Sequence, residues 1–192
     1  MGLQALISCS HSIYFVYISD GPLAVNLSAR QLADPETPRM VQDILDRCGI
    51  APIRVLLEVT ETVAMDESPL TRDSLTALKE LGFQVAIDDF GTGYSSLAYL
   101  HTLPVTTIKV DQSFVARIGD DGPEPVVRAI IEMSHAMDLT VIAEGVENEL
   151  QRAVLSDMAC DLVQGFYYGK PMPAADFVTW WGEEEAALRR IS

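Results

Sequence analysis

The chain has 192 residues, 48% hydrophobic and 21% charged, which suits one substantial buried core and excludes a disordered chain. Thirteen Lys and Arg residues against 28 Asp and Glu residues give a net charge of −15, which argues against binding to a nucleic-acid polymer or an anionic membrane. Three widely spaced cysteines favour reduced thiols in the cytoplasm, and no apolar run reaches the ~18 residues of a membrane span.

From residue 21 onward, a short apolar strand, a turn and a helix recur along the chain. The strands are rich in Val, Ile and Leu with little polar alternation, as expected when both faces of a sheet are covered. The predicted strands are Leu23–Leu27, Ile53–Val59, Gln84–Asp88, Thr107–Val110, Leu139–Glu144 and Asp161–Phe166. The helices predicted between and after them are Glu36–Cys48, a helix with Ser68 as N-cap and Gly82 past its end, Ser95–His101, Pro125–Met137, Glu149–Met158 and Ala174–Arg189. This alternation predicts an α/β fold with a parallel sheet, either a barrel or a doubly wound sheet.

The first 20 residues depart from this pattern. Ser12–Ser19 is predicted to form a strand, but no comparable helix accompanies it. Six regular βα units are fewer than the eight of a (β/α)₈ barrel, which typically needs ~250 residues. We therefore expect an atypical segment at residues 1–20 and one domain at residues 21–192, in which one or two barrel strands are missing or replaced.

Each predicted strand carries a polar side chain near its C-terminal end. Side chains alternate along a strand, so these groups share one face while the opposite, apolar face should contact the helices. They are Asn26, Glu58, Asp88, Lys109, Glu144 and Gln164. In a barrel they would converge on one mouth, where the active sites of that fold are built. This convergence favours the barrel over the doubly wound sheet.

Carboxylates dominate the predicted mouth. They are Glu58, Asp88, Asp89, Glu144 and Glu147. Like charges a few ångströms apart do not all stay ionised without cations, and oxygen ligands of this kind suit Mg²⁺ or Mn²⁺. Asp88 and Asp89 reach one site only if their strand ends there, and the following Gly91-Thr92-Gly93 makes such a break credible. One carboxylate would then bridge two metal ions ~3.5–4 Å apart, an arrangement used in phosphodiester hydrolysis.

Each of these features also has an ordinary explanation. Taken alone, an Asp-Asp pair before Gly-Thr-Gly is more often a turn with a helix cap, and a lone strand lysine such as Lys109 is usually an ion-pair partner. Six strand ends that each carry a polar residue are hard to explain as solvated edges. The whole set therefore favours a metal site, with Lys109 as a donor to phosphate oxygen or to the attacking water.

Several long motifs resemble one known family, the EAL domain, the cyclic-di-GMP phosphodiesterase module of bacterial signalling proteins. The similarity covers roughly residues 21–181. The matching runs are Ala24-Val-Asn-Leu-Ser-Ala-Arg-Gln-Leu32, Leu57-Glu-Val-Thr-Glu61, Asp88-Asp-Phe-Gly-Thr-Gly-Tyr-Ser-Ser-Leu97, Ile108-Lys-Val-Asp111, Ala143-Glu-Gly-Val-Glu147, Gln164-Gly-Phe166 and Lys170-Pro-Met-Pro173.

The resemblance implies a modified (β/α)₈ barrel that opens cyclic di-GMP to linear pGpG with a metal-activated water. It implies a two-metal site for Mg²⁺ or Mn²⁺, in which Asn26, Glu58 and Asp88 hold one ion and Asp88, Asp89 and Glu144 hold the other. It implies that Lys109 and Glu144 position and deprotonate the attacking water. Glu147 would support the metal ligands, and Gln164 would lie at the substrate. It also implies a homodimer. The segment 88–97 would link the dimer contact to the metal site, and Glu61 would brace that segment.

The sequence departs from the family at the motif that names it. The Glu-Ala-Leu run and the nearby arginine that meets the substrate phosphate are both absent, and Gln4-Ala-Leu6 has a neutral amide in place of the carboxylate. The first metal ion would thus lack one ligand. We expect an N-terminally shortened cyclic-di-GMP phosphodiesterase; the alternative is a non-catalytic cyclic-di-GMP receptor or a dimerising signalling module.

Overall fold

The computed structural model describes residues 23–93, 97–119, 122, 124–173, 176–177 and 179–180. Six parallel strands form one sheet in which spatial order follows chain order. They are β1 (Leu23–Asn26), β2 (Val55–Thr60), β3 (Gln84–Phe90), β4 (Thr107–Val110), β5 (Thr140–Ala143) and β6 (Leu162–Val163). The strand predicted at residues 12–19 lies outside the described residues, so the division of the chain at residue 20 stays a prediction.

Helices connect the strands at most of the predicted places. They are α1 (Ala29–Leu32), α2 (Thr37–Cys48), α3 (Glu61–Ala64), α4 (Pro69–Glu80), α5 (Leu97–Leu100), α6 (Gln112–Val115), α7 (Glu124–Ala136) and α8 (Glu149–Asp157). Most of the predicted last helix lies outside the described residues. Ser68 takes the N-cap position of α4 as predicted, but its side chain makes no capping hydrogen bond, and Pro69 begins the helix.

Three single-turn helices were not predicted, and each follows a strand directly or after a short turn. The helices α1, α3 and α6 come after β1, β2 and β4. Ser28 and Gln31 form a reciprocal capping box on α1, and the Asp111 side chain accepts the Ser113 N–H at the start of α6. These turns are too short for a helical periodicity in the sequence, but they orient the chain where it leaves the strand ends.

Strand order decides between the two folds that the sequence allowed. A doubly wound sheet reverses its strand order at one point, whereas this sheet runs without reversal from β1 to β6. Strands that follow each other around one sheet, with helices between them, are the arrangement of a (β/α)₈ barrel. The prediction of a modified barrel with about six regular βα units is therefore confirmed.

The two faces of the sheet bury different sets of side chains, as the alternation predicted. The helix-facing side forms the main core, which includes Val55, Leu57, Val85, Ile87, Ile108, Val110, Val141 and Ala143 together with helical residues such as Leu45, Leu75, Val127 and Leu155. The opposite face has its own small apolar layer of Leu56, Ala86 and Ile142, with Leu162 packed against it. The polar residues of the strand ends follow this layer by two positions, so it forms the floor beneath them.

The described helices contain no segment long and apolar enough to cross a membrane. Strand boundaries differ from the predicted ones by more than one residue at three places, and at one of them β3 continues past Asp88 to Phe90. Residues 52–54 form a 3₁₀ turn begun by Pro52, so β2 starts at Val55. The ladder between β5 and β6 covers only two residues of β6.

Candidate active site

The C-terminal ends of four neighbouring strands bring Lys109 and three carboxylates together. The Lys109 side chain is 2% exposed, and its Nζ lies 2.7 Å from Glu58 Oε1, 2.9 Å from Asp88 Oδ1 and 2.8 Å from Glu144 Oε1. Glu58 lies in β2 two residues before its end, Asp88 lies in β3, Lys109 in β4, and Glu144 directly follows β5. One buried ammonium therefore joins carboxylates that are far apart in sequence, which shows that the strand ends converge as the barrel hypothesis required.

Lys109 stays charged in this setting. Burial by itself lowers the pKa of Lys109, but the charges of Glu58, Glu144 and Asp88 outweigh it and raise that pKa above its ordinary value. The lysine is thus an ion-pair partner, as its ordinary explanation held. It is also buried among the residues proposed to do chemistry, so the two interpretations of Lys109 do not exclude each other.

The carboxylates carry more negative charge than one lysine balances. Burial raises the pKa of Glu144 to about 7 against the opposing effect of Lys109, and the charges of Asp88 and Glu58 raise it further. Burial likewise raises the pKa of Glu58. With Asp89 there are four carboxylates around a single ammonium, so the cluster favours additional positive charge.

Asp88 and Asp89 reach the same site through a distortion inside β3, and the prediction that the strand ends at Asp88 is wrong. The strand continues to Phe90, but Asp89 has φ 56, and the ladder with β4 shifts between Ile87 and Phe90. One left-handed residue inserted into a strand acts as a bulge and turns a side chain to the face that it would otherwise avoid. Aspartate tolerates this conformation better than most residues.

The donor set of this cluster fits a divalent cation. Carboxylate oxygens of Asp88, Asp89 and Glu144 lie within 4.8 Å of one another. Anionic oxygens at this spacing are the ligands that Mg²⁺, Mn²⁺ and Ca²⁺ accept. Asn26, an exposed residue at the end of β1, pairs in register with Glu58, which places its amide at the neighbouring strand end. The residues predicted as ligands therefore lie toward the C-terminal ends of β1, β2, β3 and β5 in one sheet, while their roles stay predictions.

Asp111 joins the cluster and was missed as a site residue. Burial raises the pKa of Asp89, and the charges of Asp88 and Asp111 add to that effect, together with a side-chain hydrogen bond in which Asp111 accepts from protonated Asp89. Asp111 is 9% exposed and caps α6. The available signal was its position two residues after Lys109, on the same face, but a capping aspartate after a strand is so common that it points to no function by itself.

Glu61 holds the segment that follows β3. Its side chain is buried, and its Oε2 accepts the N–H groups of Gly91 at 2.9 Å and Gly93 at 3.3 Å. A Cβ at Gly93 would lie 2.7 Å from Glu61 Oε1, so the backbone approaches the carboxylate as closely as glycine permits. The predicted bracing contact is present for residues 91–93, and the rest of the segment lies partly outside the described residues.

Glu147 and Gln164 occupy two different environments. The Glu147 side chain is exposed. Gln164 follows β6, where its N–H donates to Ala143 O at 2.8 Å and its carbonyl accepts from Val146 at 3.0 Å. Its side-chain Oε1 is buried and has no hydrogen-bond partner among the described residues. A buried acceptor without a partner is available to a ligand donor.

The contact between Gly165 and Val146 joins the turns after β5 and β6. A Cβ at Gly165 would overlap the backbone nitrogen and oxygen of Val146. We expect Gly165→Ala to destabilise the chain by about 3 kcal/mol or more, because two backbones must separate. Gly49→Ala is the control, since its added Cβ has open space and only the left-handed φ of 66 opposes it, at roughly 1 kcal/mol. Urea unfolding of both variants measures the difference; equal midpoints would show that the two turns separate freely.

The chain is similar in sequence to known proteins over most of its length. A family model described as EAL domain matches residues 10–171. The signaling protein YkoW of Bacillus subtilis is 40% identical over 159 residues, which cover 82% of this chain and 20% of YkoW. The bifunctional diguanylate cyclase/cyclic di-GMP phosphodiesterase MucR of Pseudomonas aeruginosa is 40% identical over 157 residues, covering 81% of this chain and 23% of MucR. The chain thus spans about a fifth to a quarter of these relatives.

Solved structures show the same likeness in three dimensions. The EAL domain of DcpA from Mycobacterium smegmatis has a TM-score of 0.78 and 41% identity, covering 84% of this chain and 73% of that one. The complex of the PaMucR phosphodiesterase with c-di-GMP has a TM-score of 0.77 and 39% identity, covering 81% and 64%. Klebsiella pneumoniae BlrP1, in a manganese/cy-diGMP complex, has a TM-score of 0.71 and 35% identity, covering 78% and 39%.

Proposed function

Because this chain belongs to the EAL domain family, we propose that it is a metal-dependent phosphodiesterase that hydrolyses cyclic di-GMP to linear pGpG in bacterial second-messenger signalling. The observation that carries the proposal is the convergence of Lys109 with Glu58, Asp88 and Glu144 at the C-terminal ends of parallel barrel strands. Similar structures bound to c-di-GMP support the choice of ligand.

The proposed cofactors are two divalent ions, Mg²⁺ or Mn²⁺. Asn26, Glu58 and Asp88 would hold one ion, and Asp88, Asp89 and Glu144 the other. When bound, such ions neutralise phosphate charge and make a water molecule acidic enough to attack at neutral pH. The excess of carboxylates over Lys109 supports this assignment, since cations stabilise the ionised form of Glu144, whose pKa is raised by burial and by the charges of Asp88 and Glu58.

The side chains of this chain would then move the protons and hold the phosphate. Glu144 would accept a proton from the attacking water, whose oxygen forms the new bond to phosphorus while one ring P–O bond breaks; the leaving oxygen would take up a proton from solvent, and Glu144 would return its proton to solvent. Lys109 donates to the water or to a phosphate oxygen, and Gln164 offers its unpartnered Oε1 to a substrate donor. Glu147 supports the metal ligands from the turn that carries Glu144.

The proposed partner in assembly is a second copy of the chain. The segment 88–97 begins with Asp88 and Asp89 at the end of β3, and Glu61 holds the backbone of Gly91 and Gly93 just beyond them. A dimer contact on this segment would therefore act on the metal ligands. We propose that the homodimer functions in the cytoplasm.

A second function is favoured by one sequence observation. The sequence contains no Glu-Ala-Leu run, so the first metal ion would have three ligands from the residues present, Asn26, Glu58 and Asp88. A site short of one carboxylate binds its ion more weakly. In this alternative the domain is a catalytically impaired cyclic-di-GMP receptor or a dimerising signalling module.

Incubation of the chain with cyclic di-GMP and Mn²⁺ or Mg²⁺ separates the two functions. We expect pGpG to appear by chromatography and mass spectrometry, and EDTA or Asp88→Asn to abolish it. Asp73→Asn, an exposed site on α4, is the matched control and should leave the rate unchanged. Binding of cyclic di-GMP by calorimetry without pGpG would support the receptor, and the absence of both binding and turnover would contradict both functions.

A further inference from the structure

The turn between β5 and α8 carries Glu144 and is held at its beginning by strand backbones. The Glu144 N–H donates to Val110 O at 3.1 Å. Val146 is fully buried; its N–H donates to Gln164 O at 3.0 Å and its carbonyl accepts from Tyr167 at 2.9 Å. The residues 144–146 are therefore fastened to β4 and to the turn after β6.

Among the described residues, the side chain of Gln151 in α8 holds the end of the same turn. Its Oε1 accepts the Glu147 N–H at 2.7 Å and the Asn148 N–H at 3.3 Å. Gln151 is only 4% exposed, and its own N–H donates to the Asn148 side chain at 3.0 Å. Such a buried acceptor shared by two N–H groups fixes both backbone positions, because leaving either N–H unpaired would cost free energy.

These contacts do more than start the helix. A capping box needs only the reciprocal bonds between Asn148 and Gln151. The shorter bond goes instead to Glu147, one residue before the N-cap and outside α8. Gly145 in the middle of the turn has φ 73, and a Cβ there would lie 2.6 Å from the Cβ of Gln112, so the turn is packed closely on that side as well.

We infer that Gln151 is a positioning residue for the proposed hydrolysis: by holding the Glu147 backbone it completes the turn that keeps the Glu144 carboxylate beside Lys109 and the metal ligands. This inference rests on the proposed function. Groups that orient metal ligands through hydrogen bonds contribute about 10–100-fold to metal affinity or activity, although they never touch the metal. A small displacement of a reacting group has a similar effect on rate.

Three variants separate positioning from helix capping. Gln151→Met keeps the volume of the side chain and removes the hydrogen-bond acceptor. Gln151→Glu keeps the acceptor, at a helix position where glutamate is favoured. Asn148→Ala removes the N-cap side chain alone. We expect Gln151→Met to lower kcat about 10–100-fold with little change in KM, and Gln151→Glu to restore it. Asn148→Ala should lower Tm but leave kcat close to that of the unchanged protein. Amide hydrogen exchange should show loss of protection at Glu147 in Gln151→Met alone.

The outcomes also distinguish this inference from the proposed function. An unchanged kcat in Gln151→Met, or an equal loss in Asn148→Ala, would overturn the positioning role and leave only helix capping. If the unchanged chain shows no turnover, the proposed function fails, and Mn²⁺ titration by calorimetry decides on Gln151 independently. Mn²⁺ affinity should then fall about 10–100-fold in Gln151→Met and stay constant in Asn148→Ala; equal affinities would contradict the inference.

Discussion

Lys109→Met is expected to destabilise the metal-free chain by about 3–5 kcal/mol, the usual result of removing one partner from a buried ion pair. Glu58, Asp88 and Glu144 would lose their shared cation, and Glu58 is buried as deeply as the lysine, each 2% exposed. Urea unfolding in EDTA measures the loss. Turnover should disappear as well, because the donor to water or phosphate is removed.

Lys79→Met is the matched control for this variant. Lys79 is an exposed residue of α4, so its replacement makes the same change in charge and should alter stability by no more than about 0.5 kcal/mol. Mn²⁺ should restore part of the stability lost in Lys109→Met, since added cations take over the neutralisation of the carboxylates. If both variants unfold at the same urea concentration, the ion pairs around Lys109 contribute nothing to the fold.

Glu144→Gln is expected to reduce pGpG formation about 10²–10⁴-fold, the contribution of a positioned general base. The amide keeps the size of the side chain but neither accepts a proton from water nor supplies a charged ligand. The fold should be spared, because Lys109 keeps Glu58 and Asp88 as ion-pair partners and the repulsion among the carboxylates decreases. Product formation with saturating Mn²⁺ and a thermal unfolding curve measure the two effects.

The control is Glu80→Gln, at an exposed position near the end of α4. Its turnover and unfolding temperature should equal those of the unchanged chain. Retention of full activity in Glu144→Gln would remove Glu144 from the mechanism, whereas loss of folding would show that its charge is structural.

The fold was largely predictable because its signals are local. Apolar strands such as those around Val85 and Ile108 alternate with helical segments, and two-residue periodicity within each strand separates the helix-facing side from the polar side. The single-turn helices were missed because four residues are too few to show the periodicity of a helix in the sequence. The bulge at Asp89 was missed because it results from pairing with β4 and leaves no sign in the composition of the strand.

The sequence by itself determined the parallel βα units, the two faces of the sheet and the set of polar strand ends from Asn26 to Gln164. Only the tertiary structure decided that Lys109 lies among three carboxylates, that Asp111 joins them, and that Gln151 holds the turn behind Glu144. Periodicity reports which way a side chain points relative to its own strand. Which side chains meet depends on register, bulges and the closeness of neighbouring backbones, and these arise only when the strands are assembled.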